Sequence, residues 1–178
     1  MNNILVISGH TDLNDSVANK KILEELKKKI PNIEIDILSE LYPDYKINVS
    51  EEQNKLLKAE TIVLQYPLFW YSMPSLLERW MECVFTHGFS HGSLGDKLAG
   101  KKVIVSLTTG ANKEVYNNID DFLNPIKLCC NLCKMKYIGS IVTYSISYQI
   151  RKEKRKEIEE KAINHVNRLI KMLKDSNC

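Results

Sequence analysis

The chain has 178 residues, with 25 Lys and Arg against 22 Asp and Glu, 44% hydrophobic and 26% charged. That length suits a single domain spanning residues 1–178, and the composition excludes a disordered, collagenous or disulfide-stapled chain. A formal net charge of +3 is too small to argue for nucleic acid, and it is concentrated at one end, where residues 151–178 hold nine Lys and Arg against five Asp and Glu.

The first element expected is a strand at Ile4-Leu5-Val6-Ile7, a continuous apolar run of the kind buried on both faces. Residues 16–30 then carry Val17, Ile22, Leu23, Leu26 and Ile30 at helical spacing, and Pro31 stops that helix. Ile33, Ile35 and Ile37 alternate as a second strand. A short helix is expected over 48–59, with Ser50 as N-cap and Glu51 and Glu52 in its first turn. Thr61-Ile62-Val63-Leu64 forms the third strand, closed by Tyr66-Pro67. Residues 74–86 make an amphipathic helix with Pro74 in its first turn. A glycine-bearing loop leads to the fourth strand, Val103 to Leu107, which ends in Thr108-Thr109-Gly110. A helix over 119–133, a fifth strand over 138–144 and a long charged helix over 151–174 complete the chain.

Strands alternating with helices imply βαβ units and a parallel sheet. Five of them point to an α/β, flavodoxin-like doubly wound five-stranded parallel sheet of order 2-1-3-4-5. Such a sheet binds ligands beyond the carboxyl ends of its strands, where the strand order reverses. The loops at that point are 8–19, 65–74 and 108–116, and the unusual residues gather there.

In the first loop, His10 and Ser16-Val17-Ala18-Asn19 lead into a helix N-terminus, where unpaired N–H groups and the helix dipole suit an anion. The plainer reading is an N-cap by Ser16 or Asp15, and Asp15 counts against a phosphate unless its carboxylate points away. The second loop places Phe69, Trp70 and Tyr71 between Pro67 and Pro74. A planar aromatic ligand accounts for that composition, and so does a subunit contact or a core plug. In the third loop Thr108, Thr109, Gly110 and Ala111 supply small hydroxyls and exposed amides for a polar ring edge, or form an ordinary turn.

At these residues the sequence resembles the NAD(P)H:quinone oxidoreductase branch of the flavodoxin-like flavoproteins, and within it the ancillary oxidoreductases of glutathione-regulated potassium-efflux systems. The resemblance rests on His10 with Ser16 to Asn19, PLFWYSMPSLLERW at 67–80, VFTHGFSHG at 84–92, TTGA at 108–111 and Pro125 with Cys133. It implies FMN, rather than FAD, as cofactor and NAD(P)H as co-substrate. His10 and Ser16 to Asn19 would hold the phosphate side, Pro67 and Leu68 to Tyr71 the isoalloxazine ring, largely by backbone, and Thr108 to Ala111 its pyrimidine edge. Tyr116 would lie near a flavin carbonyl, and Tyr71 and Tyr116 are the hydroxyl donors expected to serve catalysis. Two electrons would pass as hydride from NAD(P)H through the flavin to a quinone or similar electrophile by a ping-pong route. The resemblance further implies a homodimer, and as a second reading a flavin-binding ancillary subunit of a membrane potassium-efflux transporter with little turnover. Two departures stand out: Ala111 replaces a frequent glycine, and Phe122 falls near the place of a histidine used by eukaryotic relatives.

No run approaches the roughly 18 apolar residues of a membrane helix and the start of the chain lacks a secretion signal. The cytoplasm is therefore the expected compartment, with its five cysteines reduced. Cys129, Cys130 and Cys133 read as packing residues, not a metal site. His87 and His91 lie in a loop that could line a substrate mouth, His165 reads as solvated, and the basic run 151–156 as a solvated helix face.

Overall fold

The computed structural model describes residues 3–149 and 151–176. Five strands, β1 (Ile4–Ser8), β2 (Glu34–Ile37), β3 (Thr61–Pro67), β4 (Lys102–Thr108) and β5 (Lys136–Thr143), form one parallel sheet in the order β2-β1-β3-β4-β5. Six helices connect and cover it: α1 (Val17–Lys29), α2 (Leu38–Leu41), α3 (Val49–Lys58), α4 (Ser75–Val84), α5 (Asn124–Leu132) and α6 (Arg155–Asp175).

The strand residues sort by parity, as a pleat requires. Leu5, Ile7, Ile62, Leu64, Val103 and Val105 pack with α3, α4 and α5 on one face. Ile4, Val6, Val63 and Ile104 pack with α1 and α6 on the other. Both faces are covered, so the central strands read as unbroken apolar runs.

Several boundaries differ from the sequence expectation, each for a local reason. Asn48, not Ser50, caps α3: its Oδ1 accepts the Glu51 N–H at 3.3 Å, the third residue on, while the Ser50 hydroxyl donates to that same oxygen. The segment 119–133 is split. A tight 3₁₀ turn, Ile119–Leu123, precedes α5, because Pro125 sits in the first turn of the α-helix, where its missing N–H costs nothing. Pro74 stands just ahead of α4 rather than inside its first turn. The last helix starts at Arg155, leaving 151–154 as a turn.

His165 is not solvated. It is fully buried on the sheet side of α6, with its two ring nitrogens 2.8 Å from Ser106 Oγ of β4 and Thr143 Oγ1 of β5. Burial holds the imidazole far below its ordinary range, at about 3, with Arg168 acting in the same direction. Cys130 and Cys133 are packed in the core beneath α5. Among the described residues no helix is long and apolar enough to cross a membrane.

Candidate functional site

The carboxyl ends of β1, β3 and β4 open onto a cavity of about 350 Å³. Its wall brings together His10, Ser16 to Asn19, Pro67 to Phe69, and Thr108 to Gly110, drawn from the three loops that the topology singles out. These segments are stitched to one another by backbone bonds: Gly9 N–H to Gln65 O at 2.8 Å and Leu68 N–H to Thr108 O at 2.8 Å.

Beneath the cavity lies a buried polar hub. Asn19, 2% exposed, accepts with Oδ1 from Gln65 Nε2 and from Thr108 Oγ1, the latter at 3.1 Å. Its Nδ2 donates to Ser16 Oγ at 3.0 Å, and Ser8 Oγ donates to Gln65 Oε1 at 3.1 Å. One side chain therefore couples α1 to β3 and β4, and so fixes the three loops relative to each other.

At one end of the cavity Ser16 caps α1, accepting from the Asn19 N–H at 3.2 Å. With a second bond accepted from Asn19 Nδ2, the hydroxyl has its own proton left to donate. The first-turn N–H groups of Val17 and Ala18 have no intrahelical partner, and both residues belong to the wall. His10 Nδ1 accepts the Asp12 N–H at 3.1 Å, which leaves Nε2–H as the ring's donor. Burial holds His10 below its usual range, outweighing the opposite pull of Asp12 and Asp15. A neutral histidine, a free hydroxyl and two free amides make a donor-rich end suited to a phosphate.

At the other end the chain makes a tight reversal. Phe69 and Ser72 exchange backbone bonds of 3.0 and 2.9 Å around Trp70 and Tyr71, whose φ angles are 48° and 63°. Two consecutive left-handed residues define a turn normally given to Asn and Gly, and aromatic residues there hold backbone strain of about 1–3 kcal/mol each. The reversal carries Trp70 away from the cavity to 95% exposure, and Tyr71 is also exposed. Neither side chain lines the wall, which leaves the backbone of this loop to meet a ligand. Their amide N–H groups make no bond among the described residues.

Ala111 and Tyr116 also lie off the wall. The Thr109 N–H, expected to be free, is taken by Thr143 O at 2.9 Å, whereas Gly110 and Ala111 keep theirs unbonded among the described residues. Tyr116 joins a cluster of rings instead. Its centroid lies 6.2 Å from Tyr71, 6.0 Å from Phe122 and 6.1 Å from Tyr144, while Tyr71 and Phe122 are 5.3 Å apart. The two tyrosines singled out as donors are thus neighbours in one cluster of rings. His87 and His91 face each other at 5.7 Å and do not reach the cavity wall.

A fourth segment went unread in the sequence. Ile146, Ser147, Tyr148 and Arg151, after β5, complete the wall together with Ile158. The available signal was topological: β5 ends at the same edge of the sheet as the other strands. Arg151 is no part of a solvated helix face, since its Nη2 pairs with Asp15 Oδ1 at 2.7 Å across the cavity end.

Comparison with known proteins agrees with this architecture. A family model described as Flavodoxin-like fold matches residues 2–168. The chain is similar to general stress protein 14 of Bacillus subtilis, 38% identical over 152 residues, covering 82% of this chain and 86% of that protein. It also matches the structure of the Treponema denticola general stress protein 14 in complex with FMN, with a TM-score of 0.85, 24% identity, and coverage of 96% and 99%. It is 32% identical to the uncharacterized NAD(P)H oxidoreductase YrkL of Bacillus subtilis over 169 residues, covering 91% of this chain and 96% of that one. The glutathione-regulated potassium-efflux system ancillary protein KefF of Salmonella typhimurium is 33% identical over 175 residues, covering 91% and 99%.

Proposed function

The chain belongs to the flavodoxin-like NAD(P)H oxidoreductase family, and on that premise we propose that it is an FMN-dependent enzyme passing two electrons from NAD(P)H to quinones or similar electrophiles. The observation that carries this reading is a cavity with donors for a phosphate at one end and an apolar, amide-edged slot at the other. The FMN bound by the Treponema denticola relative supports it. We take FMN rather than FAD as the resident group, in line with the FMN complex of the Treponema denticola protein.

In this reading Ser16 Oγ–H, the Val17 and Ala18 amides and His10 Nε2–H hold the phosphate. Asn19 acts from below, keeping Ser16 and Thr108 in register. Pro67, Leu68, Phe69, Thr108, Thr109 and Gly110 wall the ring. The amides of Trp70, Tyr71, Gly110 and Ala111 serve its polar edges. When bound, the flavin supplies the two-electron chemistry, and the protein supplies position and electrostatics. Preorganised amides aimed at an edge that gains negative charge are worth about 3 kcal/mol of barrier each. Tyr71 and Tyr116 present hydroxyl protons beside the slot for the oxygen of a reduced quinone. One cleft serving donor and acceptor in turn gives ping-pong kinetics.

We read the chain as one cytoplasmic domain, active as a homodimer through the exposed aromatic turn and its neighbours. A second role, as ancillary subunit of a potassium-efflux transporter at the inner face of the membrane, is favoured by the near full-length match to KefF.

The purified protein is expected to be yellow and to release FMN on denaturation. Under anaerobic conditions NADPH should bleach it and a quinone should restore the colour; a colourless protein that takes up no FMN sinks the proposal. A sharper check comes from Gly110. A Cβ there meets nothing closer than Ile146 O at 3.9 Å, and Gly110 has no positive φ. Gly110→Val therefore puts its methyls into the slot, and is expected to leave folding stability within about 0.5 kcal/mol while weakening FMN binding by roughly tenfold or more. Equal FMN affinity in the variant places the ring elsewhere.

A further inference from the structure

The geometry points to an exchangeable latch at the phosphate end: Arg151 trades the Asp15 carboxylate for the phosphate of bound FMN. This inference rests on the flavin reading above.

Asp15 is the last residue before the Ser16 cap, and Arg151 reaches it from the far side of the sequence. Both side chains are on the cavity wall. Arg151 Nη1 donates to Tyr148 O at 2.8 Å, and its guanidinium carbon lies 3.3 Å from the centre of the Tyr148 ring. These two contacts belong to Arg151's own segment and travel with it. Two contacts with Asp15 tie this segment to the start of α1, the Arg151 pair and the bond from the Tyr148 hydroxyl, and the exchange gives up the first while the second keeps Asp15 partnered. The carboxyl of Asp15 is held below its usual range by the Tyr148 hydroxyl and by Arg151, so it is an anion whenever the site operates.

An anion on the wall of a phosphate site opposes the ligand, and a neutral Asp–Arg pair attracts it only weakly. The pair becomes useful if it opens. A phosphate monoester carries close to two negative charges at neutral pH, and its oxygens match the guanidinium fork. A single carboxylate offers half that charge. Arg151 therefore gains by moving to the phosphate while remaining stacked on Tyr148. Asp15 is not stranded by the exchange. It keeps the Tyr148 hydroxyl bond and also faces an adjoining cavity of about 430 Å³, whose wall carries Lys20, Lys21, Lys152 and Arg155 against Glu24 and Glu159, with Arg155 paired to Glu159. The latch thus makes the site selective for a dianionic phosphate ester, since a ligand without that charge cannot displace the carboxylate.

The test is titration of the flavin-free full-length chain with FMN and with riboflavin, which lacks the phosphate, followed by quenching of flavin fluorescence at fixed ionic strength. Arg151→Gln should weaken FMN about tenfold or more and leave riboflavin unchanged. Asp15→Asn should tighten FMN roughly threefold to tenfold, and most of that gain should vanish in the Asp15→Asn/Arg151→Gln double variant. An equal gain in both backgrounds means the carboxylate merely repels, and overturns the exchange. Weaker FMN binding by Asp15→Asn overturns it too, since Asp15 then holds Arg151 ready. Parallel losses for FMN and riboflavin in Arg151→Gln reduce Arg151 to shaping its segment. If the wild-type chain binds riboflavin but gains nothing from the phosphate, the latch alone fails; if it binds neither flavin, the cofactor reading fails first and the latch with it.

Discussion

Asn19→Leu is expected to cost about 2–6 kcal/mol of folding stability, a large effect for a substitution that conserves volume. The reason lies in what is left behind. Gln65 Nε2 and Thr108 Oγ1 both donate to Asn19 Oδ1 in a buried setting, and each donor stranded there costs about 1–3 kcal/mol. Ser16 loses the Nδ2–H bond as well, though it still accepts the Asn19 backbone N–H. Thr108→Val provides the calibration, because it removes one donor and leaves Asn19 Oδ1 with Gln65; its cost should stay near 1 kcal/mol. Urea unfolding of the three proteins at neutral pH measures this, with an unchanged slope expected. A loss below about 1 kcal/mol for Asn19→Leu would mean the loops are held by their backbone bonds alone. If the hub matters for function, the folded fraction of the variant also binds FMN more weakly than Thr108→Val does.

That hub marks the limit of what could be read from the residues in line. The strands were legible because a sheet covered on both faces imposes continuous apolar runs at Ile4–Ile7, Ile62–Leu64 and Val103–Val105. The place of the cavity followed from topology, and His10, Ser16, Pro67 to Phe69 and Thr108 to Gly110 line it together. Asn19 was expected beside the phosphate; its bonds to Gln65 and Thr108 join residues 46 and 89 positions away, which no local pattern encodes. Trp70 and Tyr71 looked like wall residues by composition. Their orientation depends on two positive φ angles that turn them outward, and aromatic side chains give no hint of that backbone. Arg151 sat in a basic run whose default is a wet helix face, and only the distance to Asp15 separates it from its neighbours.

His165 was hidden for the opposite reason. Its apolar neighbours on α6, Ala162, Val166 and Leu169, were read correctly as the inward stripe, but a histidine within that stripe counts as polar in any pattern. Its burial makes it an acid-sensitive clamp. The ordinary pKa of 6.5 falls to about 3 in the folded chain. Between those values the unfolded chain binds a proton that the folded one refuses, so stability is fully present above pH 6.5 and is lost as pH falls. The slope is about 1.4 kcal/mol per pH unit. Asp36 opposes it: burial and the neighbouring Glu52 raise its carboxyl to about 6, so the folded state holds a proton there that the unfolded state has released, and stability falls as pH rises from 3.8 to 6. The wild-type profile should therefore be shallow over that interval. The difference between His165→Gln and wild type isolates the clamp, because Asp36 is common to both. That difference should grow in favour of the variant by about 1.4 kcal/mol for each pH unit below 6.5, and stay constant above it. Denaturant unfolding from pH 4.5 to 8 measures it, and a pH-independent difference removes His165 as the titrating group. The consequence reaches the site. His165 bonds Thr143, whose carbonyl receives the Thr109 N–H on the cavity wall. Unfolding that captures the His165 proton therefore takes this edge with it, and bound flavin should be released on acidification earlier in wild type than in His165→Gln.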